Sequence, residues 1–203
     1  MKCTGGLWVA SASTFVKIPR ERIGSLLGPK GHVKEAIEEK LAVCLEVDSQ
    51  TGDIKVALAS TAQDPSLLLR AKEVITAIGR GFSPERSFRL IDDDEAALVV
   101  IDLREVVGKS QSDMKRLKGR IIGKEGKTRR IIEELTEASI SVFGHTISII
   151  GDLEQAETAR DAIQMFLGGS QHRTVYRFLH RKRRELKKKR MELWEPSRDT
   201  LDT

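Results

Sequence analysis

Two stretches of this 203-residue chain follow one plan, and that repetition limits the folds open to it. Ile23-Gly24-Ser25-Leu26-Leu27-Gly28-Pro29-Lys30-Gly31 is answered by Arg120-Ile121-Ile122-Gly123-Lys124-Glu125-Gly126, with the second loop 95 positions after the first. Each is an apolar run, then Gly-x-x-Gly, then an amphipathic helix pattern. The match extends past the glycines: Ile37, Leu45 and Val47 correspond to Ile132, Ile140 and Val142 at the same offset. A chain of this length suits two small domains better than one, and the repeat gives each half its own core.

Both halves read in the same order: strand, helix, loop, helix, strand, strand, helix. In the first, Phe15 to Pro19 is a strand closed by proline, Arg20 to Leu27 a short helix, and His32 to Leu41 a helix with Val33, Ala36, Ile37 and Leu41 at helical spacing. Val43–Val47 and Ile54–Leu58 form a hairpin around Asp48 to Asp53, which is turn chemistry. Cys44, in an apolar run, reads as a core residue. Asp64-Pro65 offers a cap and a first-turn proline; the helix runs to about Ile78, and Gly79 suits the position after its end. In the second half, Leu98 to Leu103 is a strand. Glu105 to Leu117 is an insertion, with Ser112 positioned to cap a short helix over Asp113 to Leu117. Thr128 to Thr136 is helical, Ala138 to Phe143 and Thr146 to Ile150 form a hairpin over Gly144-His145, and Asp152 caps a helix to Leu167 that Gly168-Gly169 stops.

These patterns divide the chain into a flexible leader at 1–12, a first unit at 13–80, a linker at 81–96, a second unit at 97–169 and a basic extension at 170–203. The linker holds Pro84 and the acidic run Asp92 to Glu95; it reads as a solvated strap, with a packing segment that sets the angle between units as the alternative. From Arg173 to Arg190 there are ten basic residues and one acid, Glu185. Val175, Tyr176, Phe178 and Leu179 should dock the start of this stretch on the second unit, leaving Arg181 to Arg190 as a solvated basic helix or a disordered tail.

A net charge of +5 permits a nucleic-acid partner without requiring one. No stretch approaches the ~18 apolar residues of a membrane span. Cys3 and Cys44 match no metal or redox spacing, so a reducing, cytoplasmic setting is expected. The four histidines, His32, His145, His172 and His180, form no ligand pattern, and no nucleophile–base pair stands out. Neither a cofactor, a metal nor catalysis is expected.

A Gly-x-x-Gly turn between helices lets a ligand backbone come close, because no Cβ intervenes. The following helix start offers free N–H groups and the positive end of its dipole to an anion. Together these suit a phosphodiester. Lys and Arg at a helix start are mildly unfavourable, by roughly 0.3–1 kcal/mol each, so the cluster around Lys124, Lys127, Arg129 and Arg130 implies an anionic ligand. Gly24 reads as a packing glycine.

Ile23-Gly24 to Gly31 and Ile121 to Gly126 resemble the signature of type I KH domains, here in tandem over roughly residues 13 to 168. The resemblance implies an α+β fold, each domain a three-stranded antiparallel sheet on three helices, with about four nucleotides of single strand held against an apolar groove. Gly119 to Thr128, Ile147 to Gly151, Phe166 to Ser170 and Val175-Tyr176 together resemble the archaeal form of the partner-of-Nob ribosome-assembly proteins. That resemblance implies binding to single-stranded small-subunit ribosomal RNA near its 3′ end. It also implies protein partners, among them a PIN-domain endonuclease and other assembly or translation factors. Carried over by position, Gly123, Lys124, Glu125 and Gly126 hold the RNA backbone, with Arg120, Lys127, Arg129 and Arg130 around them. Ile121, Ile122 and Val142 supply the apolar floor. Gly28, Pro29, Lys30, Gly31 and Lys34 form the paler counterpart. The first loop is intact where eukaryotic members are degenerate, so RNA and protein both stay open as its ligand.

Two rival classes remain. Gly126-Lys127-Thr128 resembles the end of a P-loop, but Ile121 stands where its first glycine belongs and a basic segment replaces the buried strand. A pure protein adaptor would use the tail as an electrostatic handle; salt-dependent RNA binding that needs the second loop separates it from an RNA binder. The low aromatic content disfavours modules that read bases by stacking.

Overall fold

The computed structural model describes residues 12–60, 62, 64–108 and 110–194. Apart from Ala12 the expected leader lies outside them, as does the end of the extension from residue 195. The first unit is β1 (Ser13–Lys17), a 3-10 turn at Arg20–Arg22, α1 (Ile23–Leu27), α2 (His32–Leu41), β2 (Val43–Val47), β3 (Asp53–Leu58) and α3 (Ser66–Gly79). Two short helices, α4 (Pro84–Ser87) and α5 (Arg89–Asp92), follow. The second unit is β4 (Ala97–Asp102), α6 (Leu103–Val107), α7 (Gln111–Ile122), α8 (Lys127–Thr136), β5 (Ser139–Phe143), β6 (Thr146–Gly151) and α9 (Leu153–Leu167), and α10 (His172–Trp194) is the last element among the described residues.

Each unit is an antiparallel three-stranded sheet, β1-β3-β2 and β4-β6-β5, with the last strand in the middle. Strand alternation decides the faces. Ile54 and Val56 join Leu26, Ile37, Val74 and Ile78 in the first core. Ile147 and Ile149 join Ile121, Ile132, Ile140 and Phe166 in the second. The tail docks as the apolar spacing implied, with Val175 and Leu179 fully buried in that second core. Cys44 is half-buried rather than in the core, because it alternates with Val43 and Leu45, which face inward.

The outward face of the second sheet is covered by the first unit. Ile150 and Leu98 pack into the first core, and all six residues of β6 are buried. Ser141 Oγ donates to the Arg80 carbonyl at 3.0 Å. Arg22 donates to the carbonyls of Ile78 and Phe82, and its guanidinium lies 5.8 Å from the centre of the Phe143 ring.

The segment between the units is packed, not solvated. Phe82, Ser87, Leu90 and Ala96 are buried. Arg70 donates to the carbonyls of Asp94 and Ala96, Lys40 pairs with Asp92 at 2.6 Å, and Arg89 reaches the Glu137 carbonyl and Gln155 of the second unit. The acidic run thus spends several of its groups on the first unit. Apolar Phe82, Leu90 and Ala96 recur too irregularly within it to betray a buried face from sequence.

Two termini lie elsewhere than the sequence suggests. The left-handed residue that stops α3 is Gly81, two residues beyond the expected glycine. Phe82 N–H donates to the Ala77 carbonyl and Gly81 N–H to that of Ile78, a Schellman ending with Gly81 left-handed at φ 97°. Gly79 is there for packing, since a Cβ would stand 2.9 Å from Ile18 Cβ. Helix α7 is capped by Ser110, not Ser112, and runs unbroken to the second loop. Ser110 also donates to Asp113 Oδ2 at 2.8 Å, a reciprocal arrangement that Ser112, one position inside the helix, cannot make.

Two predictions follow from these ties. Gly81→Ala adds a Cβ to a left-handed residue and puts it 2.8 Å from both Phe143 Cβ and Ser141 Oγ; urea unfolding should show a loss of about 2 kcal/mol or more. Asp102 caps α6, and hydrogen bonds from Arg104, first among several causes, hold its carboxyl at about 2, below the ordinary 3.8. Because the folded value is depressed, the stabilisation is present above the ordinary value and disappears as pH falls through about 2. Asp102→Asn should therefore flatten the acid limb of the stability–pH curve between those two values.

Candidate nucleic-acid interface

The two glycine loops superpose in dihedral space. Gly28 (φ 70°, ψ 178°) and Gly123 (φ 71°, ψ 179°) occupy a region essentially reserved for glycine. Lys30 and Glu125 are left-handed at φ 54° and 53°, and Gly31 and Gly126 at 85° and 76°. The N–H of each second glycine returns to the carbonyl of the first at 3.3 Å.

The glycines of a loop do different work. A Cβ on Gly123 would collide with the Thr128 hydroxyl and stand 2.9 Å from the Thr128 backbone nitrogen, whereas one on Gly126 meets nothing nearer than the Arg130 guanidinium at 3.9 Å. The first glycine seats the loop on the helix behind it. The second leaves an open approach for a ligand backbone. The first copy repeats this, with Val33 beneath Gly28 and open space at Gly31. Gly24 has no neighbour within 4 Å of a Cβ, so the expected packing role falls away.

Electrostatics separate the copies. Helix α8 begins at Gly126 with no side-chain cap and no acid in its first turn. Lys124, Glu125, Lys127 and Arg130 line a shallow hollow of about 400 Å³ there, and Arg130 donates to the Glu125 carbonyl at 2.6 Å, holding the apex of the loop. In the first copy Pro29 replaces Lys124, and Glu35 stands where Arg130 does. Glu35 lies 3.8 Å from His32, and Lys34 lies 3.7 Å from Glu38. The first loop has the backbone geometry without the surplus of positive charge.

The groove lies between the helix after each loop and the free edge of its sheet. Glu133 Oε1 accepts the N–H of Ile140 at 2.8 Å, just as Glu38 accepts that of Leu45 at 2.7 Å. Alternation along β5 turns the N–H and C=O of Val142 to the same edge. Ile122 and Val142, expected as the groove floor, are half-buried.

Two expected site residues are placed elsewhere. Ile121 is fully buried in the second core and offers no surface to a base. Arg120 points away from the groove, donating to the carbonyls of Phe166 and Ser170 and tying off the end of α9. In a helix of this period neither Ile121 nor Arg120 shares the face of Ile122, and for Arg120 only the three-dimensional partner, 46 residues on, reveals which face it takes. One residue escaped sequence reasoning. Tyr176 was read as a docking residue, but its hydroxyl also donates to Thr128 Oγ1 at 3.2 Å, so α10 buttresses the residue that Gly123 rests on.

The family model for the second PNO1 KH domain, described as a eukaryotic type KH-domain (KH-domain type I), matches residues 97–184. A KH domain-containing protein of Methanocaldococcus jannaschii is 44% identical over 185 residues, covering 91% of this chain and 80% of its own. The chain belongs to the PNO1-type KH proteins. A chain in the crystal structure of an a/eIF2alpha–aDim2p–rRNA complex from Pyrococcus horikoshii is 40% identical and superposes with a TM-score of 0.81, covering 87% of this chain and 96% of that one. The pre-rRNA-processing protein PNO1 of Yarrowia lipolytica is 25% identical over 161 residues, 79% of this chain and 62% of its own. The two three-stranded sheets and their helices are consistent with tandem KH folds.

The loop glycines make a paired prediction. Gly126→Ala should cost about 1–2 kcal/mol, the ordinary penalty of a left-handed alanine. Gly123→Ala should cost distinctly more, because its Cβ meets backbone as well. Urea unfolding of the two variants side by side checks the order.

Proposed function

We propose that this chain binds single-stranded small-subunit ribosomal RNA through the groove of its second unit and assists maturation of that RNA. The observation that carries the reading is the second loop: an open glycine approach at the start of a helix whose first turn is basic and free of acid. The names of the relatives support it, since one is a pre-rRNA-processing protein and another was crystallised with rRNA and a/eIF2alpha.

The chemistry is non-covalent. Gly126 admits the sugar-phosphate backbone, the α8 N–H groups and Lys124, Lys127 and Arg130 neutralise phosphates, and Ile122 and Val142 receive bases while the Val142 backbone reads their edges. The basic face of α10 adds contact of the kind that depends on salt rather than sequence. On this reading the units are 13–80 and 97–169, and the protein is a cytoplasmic binder, not an enzyme, that works with protein partners. A translation factor fits the complex named above. A PIN-domain endonuclease follows from the family resemblance.

The test pairs the loops. Lys124→Asp with Glu125→Asp should lower affinity for a single strand from the rRNA 3′ end by about tenfold or more, the scale of losing one charged hydrogen bond or several. Pro29→Asp with Lys30→Asp should do much less. Fluorescence anisotropy at ~0.1–0.2 M salt, where phosphate contacts are still felt, decides it. Undiminished binding by the first variant would reject the groove; absence of salt-dependent binding by the unaltered chain would favour the adaptor reading.

A further inference from the structure

The segment joining the units builds a second hollow, of about 190 Å³, that meets the second unit along Ile140 and Ser141 of β5 and Arg129 of α8. Its other wall is Ser83 and Arg86, just before and within α4. Ile140 and Arg129 also bound the RNA groove proposed above. The hollow therefore adjoins that groove, its α8 residue Arg129 lying about 5 Å along the helix from Gly126 at 1.5 Å per helical residue. An isolated KH unit has no such wall, because Ser83 and Arg86 come from outside it.

The donors there are not used up. Arg86 gives one N–H to Glu133 Oε1 at 2.9 Å and is half-exposed, at 49% of its side chain. Arg129 Nε is shut off from solvent and has no hydrogen-bond partner among the described residues; Glu133 Oε2 lies 3.8 Å away. A guanidinium has five N–H donors in a planar fork. Two guanidinium groups thus share one carboxylate whose Oε1 already serves Ile140. Ser141 donates to Arg80 and can still accept. Ser83 serves Glu85, an exposed acid on the rim that tempers the charge without entering the hollow's lining.

We propose that this hollow is an additional phosphate subsite, in which Arg86 and Arg129 take a phosphodiester of the RNA strand as it leaves the groove. The inference rests on the groove reading above. It makes the linker part of the RNA site and lengthens the footprint beyond a lone KH groove. Arg86, which also pairs with Glu133, is the cation of this subsite that comes from outside the second unit.

The experiment compares single strands of about four nucleotides, the length a KH groove holds, with strands of about eight, extended at the 5′ end, the 3′ end, or by abasic residues. On the full chain, extension at one end should tighten binding by about tenfold, and abasic extension should do the same, since a phosphate is recognised. Arg86→Ala should lose that gain, keep the affinity for the short strand, and lower the salt slope of the extended complex by about 0.7, the value for one phosphate on single-stranded nucleic acid. Arg86→Lys should keep part of the gain. Arg89→Ala removes contacts between the units without touching the hollow and should leave the gain intact. An equal loss in Arg89→Ala would overturn the subsite in favour of domain packing. A gain that survives Arg86→Ala, or that needs bases, overturns it as well. Failure of the wild-type chain to bind the short strand would instead reject the groove itself.

Discussion

The width of each groove is set by one carboxylate. Glu38 and Glu133 sit on the second turn of the helix that follows each glycine loop, and each accepts a backbone N–H from the free edge of the neighbouring sheet. That N–H would otherwise face the gap unpaired. A charged acceptor at 2.7–2.8 Å makes a strong bond of this type. It holds helix and strand at a fixed separation while leaving Val47 and Val142, two residues further along, free at the edge. In the proposed function, loop, floor and edge act on one strand of RNA, which requires this distance to be fixed. The bond appears in both copies at corresponding positions, so it belongs to the fold, and the difference in binding expected of the two grooves must come from what surrounds it.

That difference is electrostatic. Backbone dihedrals of the two loops agree within a few degrees at the first glycine, so geometry alone does not rank them. In the first copy Lys34 lies by Glu38, and His32 by Glu35. In the second, Glu133 has Arg129 at 3.8 Å and, from outside the unit, Arg86 at 2.9 Å, while Lys124, Lys127 and Arg130 surround an open hollow. Exposed pairs are individually weak. Their effect here is on the local balance of charge, which favours an anion more at the second helix start than at the first.

Much of this was legible in the sequence because it is local. The 95-residue offset, the hairpins and the Asp152 cap, which accepts the Gln155 N–H at 2.8 Å, depend on residues a few positions apart. The contrast between Arg130 and Glu35 could be read by aligning the copies. What escaped is long-range. Arg120 looks like a phosphate ligand until its carbonyl partners, 46 and 50 residues later, are seen. Ile121 and Ile122 are indistinguishable as letters, and only the twist of α7 buries one and bares the other. Gly79 and Gly81 compete for one role, and contact with Ile18 assigns the first to packing. The hydrogen bond from Tyr176 to Thr128 joins residues 48 apart.

The packed linker changes what the repeat means. Two independent units on a solvated strap would bind RNA as separate modules, with gains set by an effective concentration. Here the outward face of the second sheet is buried against the first unit, and Arg22, close to the first loop, reaches over Phe143 of the second sheet. On the outward face of the first sheet Phe15 stands 70% exposed among the described residues. The copies are therefore not equivalent in the assembled chain. One has given up its sheet surface to become a groove with a supported wall. The other supplies that support and carries the less basic loop.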